Sequence, residues 1–254
     1  MTHFPIRPFP AIRCSIRPAT LLRAQISADS TSRISSDETS TAQLLLGGAK
    51  ATSIASAVWK GIVRPGDTVV DATCGNGIDT LLLARLVSPG SLLGRVYGFD
   101  IQKEALERTS LLLEQHLTPE QRNRVELFHH CHSKMGEVLK DVRARLVVYN
   151  LGYLPHGDKE LITRAPTTIQ SLHCSLDLLQ PGGLVSVICY VGHPGGQEEY
   201  EAVKEFASLL PPSEWICTHL EQLHRPLAPH LILLAKKVTQ STLEKVENDC
   251  SSFS

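Results

Sequence analysis

The sequence predicts an α/β protein: a doubly wound, mostly parallel sheet that ends in an antiparallel β-hairpin. Three observations carry this. Short apolar segments alternate five times with helix-length amphipathic ones, and such alternation requires parallel strands joined by helices on both faces. Two last apolar segments, Trp215–Leu220 and Leu231–Lys236, have no helix-length segment between them, so they pair antiparallel. A Gly-x-Gly turn stands directly between the first strand and its helix, at the carboxyl edge where such sheets take their ligands.

Residues 1–40 stand apart from the rest. Arg7, Arg13, Arg17 and Arg23 precede the first acidic residue, Asp29, and seven serines fall between Ser15 and Ser40. Pro5, Pro8, Pro10 and Pro18 interrupt any long helix. This Arg-rich, Ser-rich, acid-poor composition is that of an organelle transit peptide. A folded domain is expected over 41–240, and a flexible polar tail over 241–254.

Within the domain, residues 41–62 read as one helix, with Leu44, Leu45, Ile54, Val58 and Ile62 as its apolar positions. Arg64-Pro65-Gly66-Asp67 is a turn. Thr68–Ala72 is a short buried strand, and Ile78–Val87 a helix closed by Ser88-Pro89-Gly90. Arg95–Asp100 is the second strand, followed by the charged amphipathic helix Lys103–His116. Val125–His129 and Leu146–Asn150 are the third and fourth strands. A helix over about 166–179 stops at Pro181-Gly182-Gly183, before the strand Leu184–Val191. Gln197–Leu209 is the last helix before the hairpin.

The totals bound the function classes. With 254 residues and a 42% hydrophobic fraction, the chain buries one substantial core. No apolar run approaches the roughly 18 residues of a membrane-spanning helix, so no membrane partner is expected. A net charge of −1 excludes a strongly basic nucleic-acid binder. RNA contact would need a local rim, for which Lys50, Lys60, Lys159, Arg164 and Arg225 are the candidates. The seven cysteines are odd in number and scattered without a Cys-x-x-Cys, which fits a reducing compartment rather than a disulfide framework.

The first strand runs into Asp71-Ala72-Thr73-Cys74-Gly75-Asn76-Gly77. The glycines permit a tight turn and bring bare backbone against a ligand, and the following helix N-terminus faces the same space. Asp71 leaves the strand where its carboxylate could meet an ammonium group. A dinucleotide fold requires a third small residue three positions on; Thr80 stands there, and that pattern fails. Asp-x-x-x-Gly-x-Gly matches instead motif I of class I methyltransferases, which bind S-adenosyl-L-methionine. Asp100 ends the second strand, placed to accept both hydroxyls of a ribose, and Ile101 and Gln102 would border the adenine. Asp79 and Thr73 belong to the same turn, and Cys131 and His132, just after the third strand, are expected on the adenine side.

Asn150-Leu151-Gly152-Tyr153-Leu154-Pro155 follows the fourth strand. Class I enzymes that methylate amines carry an Asn/Asp-Pro-Pro-Tyr type motif here, whose amide oxygen and carbonyls accept the amine hydrogens. Leu-Gly replaces Pro-Pro in this chain. Gly192-His193-Pro194-Gly195-Gly196 follows the fifth strand, and His193 or Asp158 could take the proton that an alkylamine must lose before it attacks. His129-His130-Cys131-His132 alternates faces of a strand and has no second ligand pair at a metal spacing; no metal site is expected.

These segments, with Tyr97-Gly98-Phe99-Asp100-Ile101-Gln102 and Gly157-Asp158-Lys159, resemble over roughly residues 42–237 the YtqB/MnmM-like "putative rRNA methylase" family. The resemblance implies a doubly wound Rossmann-like class I methyltransferase sheet. It implies methyl transfer from S-adenosyl-L-methionine to the exocyclic amine of 5-aminomethyl-2-thiouridine at the tRNA wobble position, in the anticodon loop. Asp71, Thr73, Gly75, Asn76, Gly77, Asp79, Asp100, Ile101, Gln102, His132 and Asn150 would hold the cofactor. Asn150, Tyr153 and His193 would face the amine as the catalytic set. A homodimer is expected. So is an organelle address, chloroplast before mitochondrion. One departure is Ile78, where bacterial members carry a polar residue such as His. The alternatives are methylation of rRNA or of another amine or amide, and, more remotely, a nicotinamide-dependent oxidoreductase.

The leader yields a direct expectation: chains recovered from cells lack most of residues 1–40 by mass spectrometry of their N-terminus. Recovery of chains with Met1 intact would contradict the transit peptide.

Overall fold

The computed structural model describes residues 41–90, 92–152 and 162–238. The Arg-rich leader, the polar tail, and Tyr153, Asp158 and Lys159 lie outside the described residues. In chain order the elements are α1 (Thr41–Leu46), α2 (Ala51–Ile62), β1 (Thr68–Asp71), α3 (Ile78–Val87), β2 (Arg95–Asp100), α4 (Lys103–His116), α5 (Pro119–Arg122) and β3 (Val125–His129). A 3-10 turn at His132–Lys134 leads into α6 (Met135–Val138), β4 (Ala144–Leu151), α7 (Ala165–Leu178), β5 (Leu179–Cys189), α8 (Gly196–Ser208), β6 (Trp215–Leu220) and β7 (His230–Lys236).

The strands form one sheet in the order β3-β2-β1-β4-β5-β7-β6. The first five pair in parallel, and β7 pairs antiparallel with both β5 and β6, as the sequence predicts. Strand order reverses between β1 and β4, the place where open α/β sheets leave a crevice at their carboxyl ends.

Alternation along the strands sorts the core into two layers. Val69, Val96, Leu146 and Val148 face α2, α3 and α4, packing on Trp59, Leu83 and Leu113. Val70, Val147, Tyr149 and Val187 face α7 and α8, packing on Leu172, Val203 and Phe206. Tyr149 is buried among these, and its hydroxyl bonds the hydroxyls of Ser171 at 2.6 Å and Ser175 at 2.7 Å on α7.

Three elements differ from the sequence expectation. The helix expected over 41–62 is two helices, because Gly48 turns left-handed at φ 66° between α1 and α2. The Pro181-Gly182-Gly183 stop does not sit between α7 and β5. The helix ends at Leu178, Leu179 already pairs with Ala144, and residues 180–183 bulge before Leu184 pairs with Leu146. Lys236 of β7 terminates α7, its Nζ donating to the Leu176 and Leu179 carbonyls at 3.1 and 3.0 Å, a cation at a helix C-terminus. Short helices at α5 and α6 are additions. The first carries a reciprocal cap between Thr118 and Gln121, a capping box too brief to show as periodicity.

Removal of the Tyr149 hydroxyl tests the coupling of sheet to α7. Tyr149→Phe is expected to lower unfolding free energy by about 1–3 kcal/mol in urea titration; an unchanged midpoint would show that the buried hydroxyl cluster adds nothing.

Candidate functional site

The turn after β1 is held from three sides. The Cys74 amide donates to the Phe99 carbonyl at 2.9 Å, and the Gly75 amide donates to Asp100 Oδ2 at 2.9 Å. The Thr109 hydroxyl of α4 donates to the Gly75 carbonyl at 3.1 Å. Gly77 caps α3 at φ 80°. A Cβ there would stand 2.9–3.0 Å from Thr109, so both conformation and space demand glycine. Gly98 on β2 is constrained by space alone, since a Cβ would lie 2.5 Å from Cys74 Sγ.

Asp100 also accepts from the Gln102 amide, through Oδ1 at 2.8 Å. A carboxylate offers about four lone-pair sites, so acceptor capacity remains for a ligand. Asp100 lines a cavity of about 600 Å³ at the carboxyl edge of the sheet, within the size range of small-molecule and cofactor sites. Thr73, Gly75, Asn76, Asp79, Ile101 and Gln102 line it too. On the far wall lie His130, Cys131 and His132, and at the mouth Ile78, 66% exposed.

Asp71 and Gly77 do not line this cavity. Asp71 is buried, its Oδ2 taking the Thr80 hydroxyl at 2.6 Å and its Oδ1 the Thr73 amide at 3.1 Å. The carboxylate expected to meet an ammonium group is instead turned inward and ties the turn to the first turn of α3. Asp79, the acidic residue of that helical turn, faces the cavity in its place.

Burial raises all three acids, and Asp79 and Asp100 add repulsion at Asp71. Burial, then repulsion from Asp79, pushes Asp71 up to about 7, against the hydrogen bonds of Thr80 and Thr73. Burial pushes Asp79 up, opposed by the Asn150 amide. Burial also pushes Asp100 up, opposed by the Gln102, Gly75 and Ile101 amides. A cavity with this excess of buried negative charge fits a positively charged ligand.

The loops after β4 and β5 complete the site. Asn150 donates its backbone amide to Thr73 Oγ1 at 2.7 Å and its Nδ2 to Asp79 Oδ2 at 3.3 Å. Gly152 donates to Thr163 Oγ1 at 2.8 Å and accepts from the Thr163 amide at 3.0 Å. The Thr163 and Thr168 hydroxyls both donate to buried Glu199 of α8 at 2.6 Å. His193 Nδ1 lies 3.0 Å from the Pro194 carbonyl, which only accepts, so Nδ1 carries the proton of that contact. A Cβ on Gly152 would stand 3.4 Å from that Nε2, and one on Gly196 2.9 Å; both glycines clear room for the imidazole. Asn150, His193 and Tyr190 share the cavity wall.

His132 is buried against Tyr149, ring edge to face at 5.8 Å. Burial pushes it down to about 4, partly offset by the Ala72 carbonyl, so it is neutral. Its Nε2 has no hydrogen-bond partner among the described residues, an orphaned polar atom on the cavity wall. His129 turns away and bonds the Ile101 carbonyl at 3.0 Å. Tyr190, Ile162, Thr163 and Thr167 line the cavity without any sequence motif to mark them; only the carboxyl-edge position of Tyr190, one residue past β5, could have pointed to it.

Fold and site together define a small-molecule site of the kind methyltransferase sheets carry. The family described as "Putative rRNA methylase" matches residues 96–236. The chain is 49% identical over 196 residues to "tRNA (mnm(5)s(2)U34)-methyltransferase, chloroplastic" of Arabidopsis thaliana, covering 76% of this chain and 72% of that one. The chain belongs to this family. A crystal structure of a "putative rRNA-methylase" from Clostridium thermocellum is 38% identical with a TM-score of 0.68, over 74% of this chain and 97% of that one. A "putative methyltransferase" from Streptococcus mutans, in complex with SAH, is 27% identical with a TM-score of 0.64, over 74% and 98%.

The burial of Asp71 has a pH signature. An acid raised from 3.8 to about 7 on folding binds more protons native than unfolded between those values, so its contribution to stability falls as pH rises through that window. The unfolding free energy of the unsubstituted chain minus that of Asp71→Asn should therefore decline from pH 4 to pH 7 in urea titrations. A difference independent of pH would contradict an inward, desolvated carboxyl.

Proposed function

We propose that the chain is an S-adenosyl-L-methionine-dependent N-methyltransferase. Its target is the exocyclic amine of 5-aminomethyl-2-thiouridine at the tRNA wobble position. One observation carries this reading: the glycine turn with Asp100 and the Asn150–Gly152 loop open onto the same acid-lined cavity, in a chain 49% identical to a relative named for that tRNA methylation.

S-adenosyl-L-methionine supplies a methyl group on a positively charged sulfur, an electrophile for a neutral amine. The donor set fits it. Asp100 keeps acceptor capacity for a ribose hydroxyl. Gly75 and Asn76 offer close backbone, and Asp79 a carboxylate for an ammonium group. Ile101, Gln102, Cys131 and the orphaned Nε2 of His132 would border the base. Thr73 holds Asn150, and Asp71 and Gly77 hold the turn without touching the ligand.

On the substrate side, Asn150 gives its Nδ2 to Asp79, which leaves Oδ1 to accept an amine hydrogen and aim the nitrogen lone pair. Such positioning supplies much of the rate in a displacement. The Tyr190 ring at the cavity wall, with Tyr153, would support the uridine. An alkylamine with a pKa around 10 sheds a proton before it attacks, and His193 Nε2 would receive it. Exposed Arg164, at the start of α7 beside cavity-lining Ile162 and Thr163, and exposed Lys50, Lys60 and Arg225 supply cations for the tRNA backbone. The same reading places the mature chain in a chloroplast, the compartment in the Arabidopsis relative's name, and carries a homodimer with it. The family description names rRNA, which makes rRNA the competing substrate.

Nucleoside mass analysis separates the two. Chain incubated with S-adenosyl-L-methionine and tRNA bearing 5-aminomethyl-2-thiouridine should add one methyl to that nucleoside, and Asn150→Ala should slow the gain by about 100-fold. No methyl on the tRNA, with methyl on rRNA under the same conditions, would overturn the wobble-uridine assignment.

A further inference from the structure

A second group of chemically active side chains lies at the far edge of the sheet, away from the glycine turn. His219 stands near the end of β6, Glu221 just beyond it, and His230 at the start of β7. Residues 219 and 221 project to one face by strand alternation. The β6–β7 register pairs Leu220 with Leu231, so the next antiparallel step sets His230 across from Glu221. Register alone thus gathers all three on one face, and a ligand atom from each lies within 4.8 Å of the others.

The geometry within the group is specific. His219 Nε2 and His230 Nδ1 approach to 3.1 Å. Two imidazole nitrogens bound to one tetrahedral zinc at roughly 2.0–2.1 Å would stand about 3.3–3.4 Å apart, so the pair needs only a few tenths of an ångström. Tyr200 of α8 fixes both rings: its own ring stacks on His230 at 4.2 Å, and its hydroxyl is 3.4 Å from His219 Nε2. His230 is buried, which holds its ring in place against Tyr200. Exposed Glu221 is free to swing its carboxylate onto the pair. Two imidazoles and one carboxylate suit a borderline transition ion rather than Mg²⁺ or Ca²⁺.

We propose that His219, Glu221 and His230 form a zinc-class divalent metal site that clamps the two ends of the 221–229 loop, with the remaining coordination open to water. The loop is tied by Gln222 Nε2 donating to the Ala49 carbonyl at 3.0 Å, while Leu223 and Leu227 are 87% and 73% exposed, so a clamp at its base would hold its two ends together. The site lies outside the cavity wall, and the inference does not rest on the methyl-transfer reading.

The test uses the whole chain, stripped with a chelator and titrated with Co²⁺ by visible absorption, then with Zn²⁺ in competition. About one equivalent should bind. His219→Ala and Glu221→Gln, both at exposed positions that leave the buried packing intact, should each weaken binding by at least about 10–100-fold, while His130→Ala leaves it unchanged. Bound metal should also slow chymotryptic cleavage after Leu223, one of the loop's exposed leucines. Absence of a stoichiometric site, or binding equally tight in His219→Ala, overturns the proposal; the second result assigns the metal to other histidines.

Discussion

The site depends on one carboxylate at the end of one strand. Asp100 takes the Gly75 amide on one oxygen and the Gln102 amide on the other, and so fixes the turn after β1 to the start of α4. Neither amide has a strand or helix partner to turn to, and a buried amide left unpaired costs about 1–3 kcal/mol. The same carboxylate lines the cavity, so under the proposed reading scaffold and ligand contact would be one group. The turn beside it is built on glycine: Gly75 at φ 53°, Gly77 against Thr109 and Gly98 against Cys74.

The second constraint is charge. Asp71, Asp79 and Asp100 are crowded into a desolvated space, and each is pushed above its ordinary range by burial. The described residues that line the cavity include no lysine or arginine, and among the described residues the one cation that offsets any of the three is Arg108, acting on Asp100. A ligand with positive charge relieves that strain, and a protein that binds such a ligand has reason to tolerate the cost. Asp71 pays least attention to the ligand and most to the fold, through Thr80 and Thr73.

Much of the fold was legible because it follows from periodicity. Five alternations and a hairpin dictate the sheet, and the strand bounds at 68, 95, 125 and 215 follow from apolar runs. What failed was local. Gly47-Gly48 ended a helix whose apolar spacing continued across it, and Pro181-Gly182-Gly183 formed a bulge inside a strand because Leu179 was already paired. In the site, the turn and the strand-end acid could be read from spacing, but side-chain direction could not. Of Asp71 and Asp79, both expected at the cofactor, only Asp79 lines the cavity, because Asp71 is turned inward onto Thr80 and Thr73. The His219–Glu221–His230 group needed the hairpin register, which no single segment encodes.

Calorimetric titration of SAH into the unsubstituted chain and into Asp100→Asn tests the central claim most directly. An asparagine presents one acceptor oxygen and an amide donor, so it cannot serve both backbone amides and a ribose. The account predicts a loss of affinity of about 10–100-fold, the worth of hydrogen bonds to a charged group, with the fold retained by circular dichroism. Equal affinity in the two proteins would contradict the role given to Asp100.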